Sequence, residues 1–145
     1  MSINVLAADK SSNGSSEDVA AIQHLLNESY LKGFYHELDA DKVKAGFHPQ
    51  MQLAAMYEGQ AIYVPLAEWM QYEAVGAEKS SLSKEQENKI NASLHIDRVE
   101  IIGSTANVKA RILLSGKLLY TNFYGLYKSD GKWAIVTKLF EDHSL

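Results

Sequence analysis

The chain has 145 residues, a formal net charge of -4 and 46% apolar residues, with no cysteine. That length suits one domain, and the apolar share is enough for a core, so global disorder is excluded. The acidic balance argues against a nucleic acid held by phosphate contacts. The lack of cysteine removes disulfides, thiolate nucleophiles and cysteine-type zinc sites, and no run is long and apolar enough to span a bilayer.

Residues 1–15 read as a flexible arm before a single domain over 16–145. Ile3 to Ala8 is apolar but short and has no basic region before it, so a signal peptide is not expected. As an alternative, this run docks on a partner subunit as an edge strand. Asp9 to Ser16 is polar and tether-like. Ser15 and Asp18 then form a capping-box pattern, and Glu17 and Asp18 suit the positive end of a helix. Val19, Ile22, Leu25, Leu26, Tyr30 and Phe34 recur near the helical period, which predicts a helix ending around Tyr35 to Leu38. Asp39 caps a shorter helix through about Gly46, and Phe47-His48-Pro49 ends it.

Met51 to Tyr57 and Ala61 to Val64 are predicted strands around a Glu58-Gly59-Gln60 turn. Pro65 opens a third helix with Leu66, Trp69, Met70 and Glu73 on one face. Gly76 to Asn88 reads as a polar loop with a helical turn at Ser83 to Glu87. From Ile90 the chain becomes a strand meander. Leu94 and Ile96 alternate, then Val99 and Ile101 alternate out of phase, which calls for a bulge near Asp97-Arg98. Ala106 to Leu114 is a half-exposed strand, and Asp130-Gly131 is a hairpin turn between Leu118 to Lys128 and Trp133 to Phe140. Strict alternation puts Tyr120, Asn122, Tyr124 and Leu126 on one face of the first of these strands. In the second it sets Trp133, Ile135, Thr137 and Leu139 against Ala134, Val136, Lys138 and Phe140.

Three segments carry a family resemblance. They are Ile22…Tyr30-Leu31-Lys32-Gly33 with Asp41 and Phe47-His48-Pro49; Ile96 to Val108; and Tyr120-Thr121-Asn122-Phe123-Tyr124 through Asp130-Gly131-Lys132-Trp133 to Phe140. In these the chain resembles the nuclear transport factor 2-like (SnoaL-like) superfamily, and within it the putative lumazine-binding family. The resemblance implies an α+β cone in which three N-terminal helices pack on a strongly bent, mostly antiparallel sheet. It also implies a deep pocket and frequent homodimers. Asn122 stands where relatives often carry Asp. It cannot act as a base or metal anchor there, but it can donate and accept hydrogen bonds.

No nucleotide-binding glycine loop, HExxH or nucleophile elbow is present. His36, His48 and His95 could meet in a cone, but no short spacing supports a metal site, and no metal or cofactor is expected. The candidate catalytic residues are His48, whose imidazole suits general-base work, and Glu73. For His48 the competing reading is a turn or capping role before Pro49, and for Glu73 a solvated position. The candidate ligand-binding residues are Tyr30, His48, Tyr57, Trp69, Asn122 and Tyr124, against the competing reading of ordinary core aromatics. Three functions follow as alternatives: a small-molecule-binding protein with an aromatic pocket; an isomerase, dehydratase or cyclase with a His or Glu base and a Tyr donor; or a dimeric interaction module. The expected setting is cytoplasmic, with no nucleic-acid or membrane partner.

Overall fold

The computed structural model of the protein describes residues 4–5 and 15–144. Most of the expected N-terminal arm lies outside the described residues. Asn4–Val5, which is described, forms β1, an edge strand on the chain's own sheet.

Helix α1 (Ser16–Leu25) starts where its capping pattern places it, with the Asp18 amide donating to Ser15 Oγ at 3.1 Å. The Asp18 carboxylate also accepts from Lys128 Nζ at 2.9 Å and from Trp133 Nε1 at 3.0 Å. The start of the helix is thereby pinned to the two strands that flank the Asp130-Gly131 turn. After Leu25 the helix widens into a π-helix, Leu26–His36. At 3.6 residues per turn, side chains five apart would diverge by about 140°, whereas an i→i+5 ladder stacks them. Tyr30 and Tyr35 therefore share the core side, with their hydroxyls 3.0 Å apart.

Asp39 caps α2 (Ala40–Gly46), its carboxylate accepting from the amides of Asp41 and Lys42. The next strand, β2 (Phe47–Tyr57), starts at Phe47 rather than Met51, so Phe47-His48-Pro49 is already extended. It turns into β3 (Gln60–Pro65), and α3 (Leu66–Tyr72) follows. A single 3₁₀ turn at Lys79–Ser81 precedes α4 (Lys84–Lys89), which Ser83 and Gln86 box in. The meander is β4 (Ser93–Ile102), β5 (Thr105–Leu114), β6 (Lys117–Ser129) and β7 (Lys132–Asp142).

The sheet order is β1-β4-β5-β6-β7-β2-β3, with β1/β4 and β2/β7 parallel and the other pairs antiparallel. With its helices packed on this curved sheet, the protein is the expected α+β cone. The shift between β4 and β5 falls between Ile96 and Arg98, leaving Asp97 as the bulged residue. Asp130 and Gly131 have φ values of 51° and 76°, the positive pair that a tight primed hairpin requires.

One expectation fails at β7. Gly125 pairs with Thr137, but Leu126 pairs with Ile135, so Val136 is an extra residue. This bulge reverses the phase of the strand. Trp133 and Ile135 therefore share the inner face with Lys138, while Thr137 and Leu139 are exposed. The close approach at the bulge depends on Gly125, since a Cβ there would lie 2.5 Å from Thr137 Oγ1.

Candidate functional site

Inside the cone, β6 presents Tyr120, Asn122 and Tyr124, paired across the strands with Asp142, Phe140 and Lys138. Helical side chains cover them from above. Tyr30 meets Tyr124 edge-on at 5.4 Å between ring centres, and Phe34 stacks on Trp69 at 3.9 Å. Asn122 Nδ2 donates to the hydroxyls of Tyr30 and Tyr124, each at 3.1 Å, and Asn122 Oδ1 has no partner. Burial pushes the phenols of Tyr30, Tyr35 and Tyr124 well above their ordinary range, so all three remain hydroxyls.

Beside this buried network opens a cleft of about 380 Å³ between β2, β3, α3 and β7. Leu53, Tyr57, Ile62, Trp69, Tyr72 and Phe140 give it an apolar and aromatic wall. Glu73 lies on one side and Lys138 at the base, the single basic side chain among the lining residues.

Lys138 is buried, at 3% exposure. Among the described residues its Nζ makes no hydrogen bond or ion pair. Instead it faces the rings of Trp69, Phe140 and Tyr30, at 4.6, 4.7 and 5.3 Å from their centres. Burial lowers its pKa from 10.5 to about 7; the Glu73 carboxylate opposes that fall and the Lys89 ammonium assists it. The rings themselves favour the cation by roughly 0.5–2 kcal/mol, which is smaller than the effect of burial.

Lys89 is the informative contrast. It too is buried, but it pairs with Glu73 at 3.4 Å and with Glu85 at 3.7 Å. Burial works against its charge, yet Glu73 and Tyr120 more than offset it and hold the amine above its ordinary range. Glu73 is thus engaged by Lys89, and Lys138 is left without a counter-charge.

The candidates read from the sequence separate into three groups. Tyr57, Trp69 and Glu73 line the cleft. Tyr30, Asn122 and Tyr124 lie beneath it, fully enclosed. His48 is exposed on β2, where its Nδ1 accepts from the Gln50 amide at 3.1 Å, the local turn role weighed against catalysis. His36 donates from Nε2 to the Ala92 carbonyl at 2.7 Å. Among the described residues no three His, Asp or Glu side chains converge as metal ligands would.

Lys138, Tyr35 and Tyr120 also line the cleft and are not among the candidate site residues read from the sequence, although Tyr120 shares the Asn122 face there. The available signal was Ile135-Val136, two adjacent apolar residues that break alternation as the β4 pattern does. A second groove, of about 430 Å³, runs between α1, α2 and the β6–β7 turn past His24, Glu28 and Lys132. It lies apart from the aromatic interior.

The family model described as putative lumazine-binding matches residues 17–141. A protein named aldolase FrzH, from a Cladobotryum species, is 30% identical over 108 residues, spanning 70% of this chain and 74% of its own. A crystal structure of an NTF2-like protein of unknown function from Shewanella baltica matches with a TM-score of 0.69 and 20% identity, covering 90% of this chain and 98% of that one. Another of unknown function, from Methylobacillus flagellatus, matches at TM-score 0.70 and 21% identity, over 92% and 98%. At these identities the two structures speak for the fold alone.

Proposed function

The chain belongs to the putative lumazine-binding family of NTF2-like proteins, and from that premise we propose that it binds a small molecule in the cleft above Lys138. The observation that carries this reading is an unpaired, buried amine at the base of an open aromatic cleft. Protein interiors seldom keep a charged group without a partner, and a bound ligand would supply one. The walls of Tyr57, Trp69 and Phe140 suit a flat ligand of mixed polarity, held by stacking and one polar group. His48, outside the cleft, has no part in it.

Titration with the fluorophore 2-methoxynaphthalene tests the cleft directly. Saturable binding is expected, and it should vanish in Ala55→Trp, which places an indole in the cleft that Ala55 lines. Binding unchanged by that substitution would sink the reading. Native mass spectrometry, with denaturing analysis of what is released, would then identify the natural ligand.

A second reading is an enzyme acting beside a carbonyl group, in an aldol-type reaction. It is favoured by the aldolase relative and by the carboxylate of Glu73 near the amine of Lys138. In this reading Glu73 moves a proton and a tyrosine hydroxyl polarises the carbonyl oxygen. A fluorogenic β-hydroxyketone that releases 6-methoxy-2-naphthaldehyde on cleavage would report it. Turnover that survives Glu73→Gln unchanged would remove Glu73 from that role.

We also propose a cytoplasmic homodimer that meets through the outer sheet face, where Phe123, Tyr127 and Leu139 are exposed. Sedimentation of the wild type and of Phe123→Lys tests the interface.

A further inference from the structure

We propose that Lys138 is a covalent attachment point, its Nζ forming an imine with an aldehyde or ketone held in the cleft. The inference rests on the cleft reading and adds a bond to it.

Three observations carry the proposal. The first is position: Lys138 lies at the base of a cleft walled by aromatic rings, where the carbonyl end of a flat ligand would meet its Nζ. The second is the lack of a competing partner, because the nearby carboxylate of Glu73 is engaged by Lys89 at 3.4 Å. An amine bound to a carboxylate is held protonated and is a poor nucleophile, whereas an unpaired one among rings loses its proton readily. The third is the contrast between the two buried lysines: burial is shared, and only the lysine facing the open cleft is left unpaired. The depressed pKa of Lys138 agrees with this geometry.

The chemistry balances with water alone. The Nζ lone pair adds to the carbonyl carbon, and the carbonyl π pair moves to oxygen, which takes up a proton. The nitrogen then gives up a proton to solvent, and its restored lone pair expels that oxygen as water after a second protonation, leaving a C=N bond. Counted from the neutral amine, one proton is taken up and one water released. The resulting iminium draws electron density from the adjacent carbon, the activation that carbon–carbon bond chemistry beside a carbonyl requires.

The test is reductive trapping. The protein is mixed with 6-methoxy-2-naphthaldehyde at pH 7, sodium cyanoborohydride is added, and the adduct is located by peptide mass mapping. An ordinary lysine is neutral in only about one molecule in a few thousand at pH 7. Lys138 should therefore carry most of the label, at least about tenfold above any other lysine. Lys138→Met should abolish that label while the variant keeps the wild-type circular dichroism spectrum. Label scattered over surface lysines, or undiminished in Lys138→Met, would overturn the proposal. If 2-methoxynaphthalene binds wild-type protein but no Lys138 adduct forms, the imine fails and the cleft reading stands. If neither binding nor adduct is seen, both fail. Lys138→Arg, which keeps a cation but cannot form the imine, should also give no adduct.

Discussion

Lys138 Nζ stands 4.6 Å from the centre of the Trp69 ring, and Trp69 stacks in turn on Phe34 of the π-helix. One basic group on the sheet is thereby enclosed by rings from helix and sheet together. Its counter-charge is missing because Glu73 faces Lys89. The properties of the cleft follow from that pairing choice.

Replacing Lys138 with Met should stabilise the protein near neutral pH. Met has a similar unbranched length and needs no partner. A fall in pKa from 10.5 to about 7 corresponds to roughly 5 kcal/mol of charge-burial cost, from which the rings recover up to about 2 kcal/mol. Below pH 7 both native and unfolded states carry the proton, and the wild type bears the full cost. Between about pH 7 and 10 the unfolded state holds the proton and the native state does not, so wild-type stability rises with pH. Lys89 and Tyr30, which face the same interior, are both held above their ordinary ranges and keep their charge states across that window in the native protein. Urea denaturation at pH 6.5 and 9.5 should show a Lys138→Met advantage of about 2–4 kcal/mol that shrinks at the higher pH. An equal advantage at both would contradict a readily deprotonated Lys138.

Much of the fold is legible because its signals are local. The Ser15–Asp18 cap, the Asp39 cap, the Asp130-Gly131 turn and the β4 bulge each depend on a few neighbouring residues. The cleft depends on two features that are not local. The π-helix places Tyr35 beside Tyr30 against the helical period, and the Val136 bulge turns Lys138 inward against the strand period. A lysine between Thr137 and Leu139 reads as a solvated position until that phase change is recognised. Tyr57, Trp69 and Glu73 reach the cleft from the end of β2, from α3 and from the residue that caps α3, positions set by the Glu58-Gly59 turn and the α3 period, which are local signals.

Tyr57 and Trp69 should separate binding from stability. Tyr57 is 62% exposed, so Tyr57→Ala should change stability by no more than about 0.5 kcal/mol. The same change removes a wall of the cleft and should weaken 2-methoxynaphthalene binding severalfold or more. Trp69 is buried and stacked on Phe34, so Trp69→Ala should cost about 3–5 kcal/mol through the cavity it leaves. Fluorescence titration and urea denaturation of both variants would check the split. Tyr57→Ala with unchanged affinity would place the ligand elsewhere.

Asp18 links the first helix to the last hairpin, and its loss should be felt under acid conditions. Hydrogen bonds from Lys128 and Trp133 hold its carboxyl below the ordinary 3.8. A depressed acid contributes stability that is present above the unfolded pKa and lost as pH falls through the folded one. Asp18→Asn should cost roughly 1–3 kcal/mol at pH 7, because Lys128 loses its partner and the Trp133 N–H is left with a weaker acceptor. That difference should narrow below about pH 4, where the wild-type carboxylate is protonated. Thermal melts at pH 7 and pH 3 would decide it, and a constant difference would contradict the latch.

Asn122 and Lys138 are diagonal neighbours on one face of the sheet, since Asn122 pairs with Phe140 and Tyr124 with Lys138. Such neighbours lie about 7–8 Å apart. A carboxylate at 122 would attract the ammonium of Lys138 by about 2 kcal/mol at an effective dielectric near 20. Asn122→Asp should therefore raise the pH at which Lys138 loses its proton by more than about one unit. The sign follows directly: an added negative charge favours the charged amine, so less neutral nucleophile is present at pH 7. Cyanoborohydride trapping of 6-methoxy-2-naphthaldehyde should then slow about tenfold at pH 7 and recover as pH approaches 9. The new acid and Lys138 would titrate as a coupled pair, so the shift belongs to the pair rather than to either residue. A pH profile identical to wild type would show that the neutral amide at 122 does not govern the protonation of Lys138.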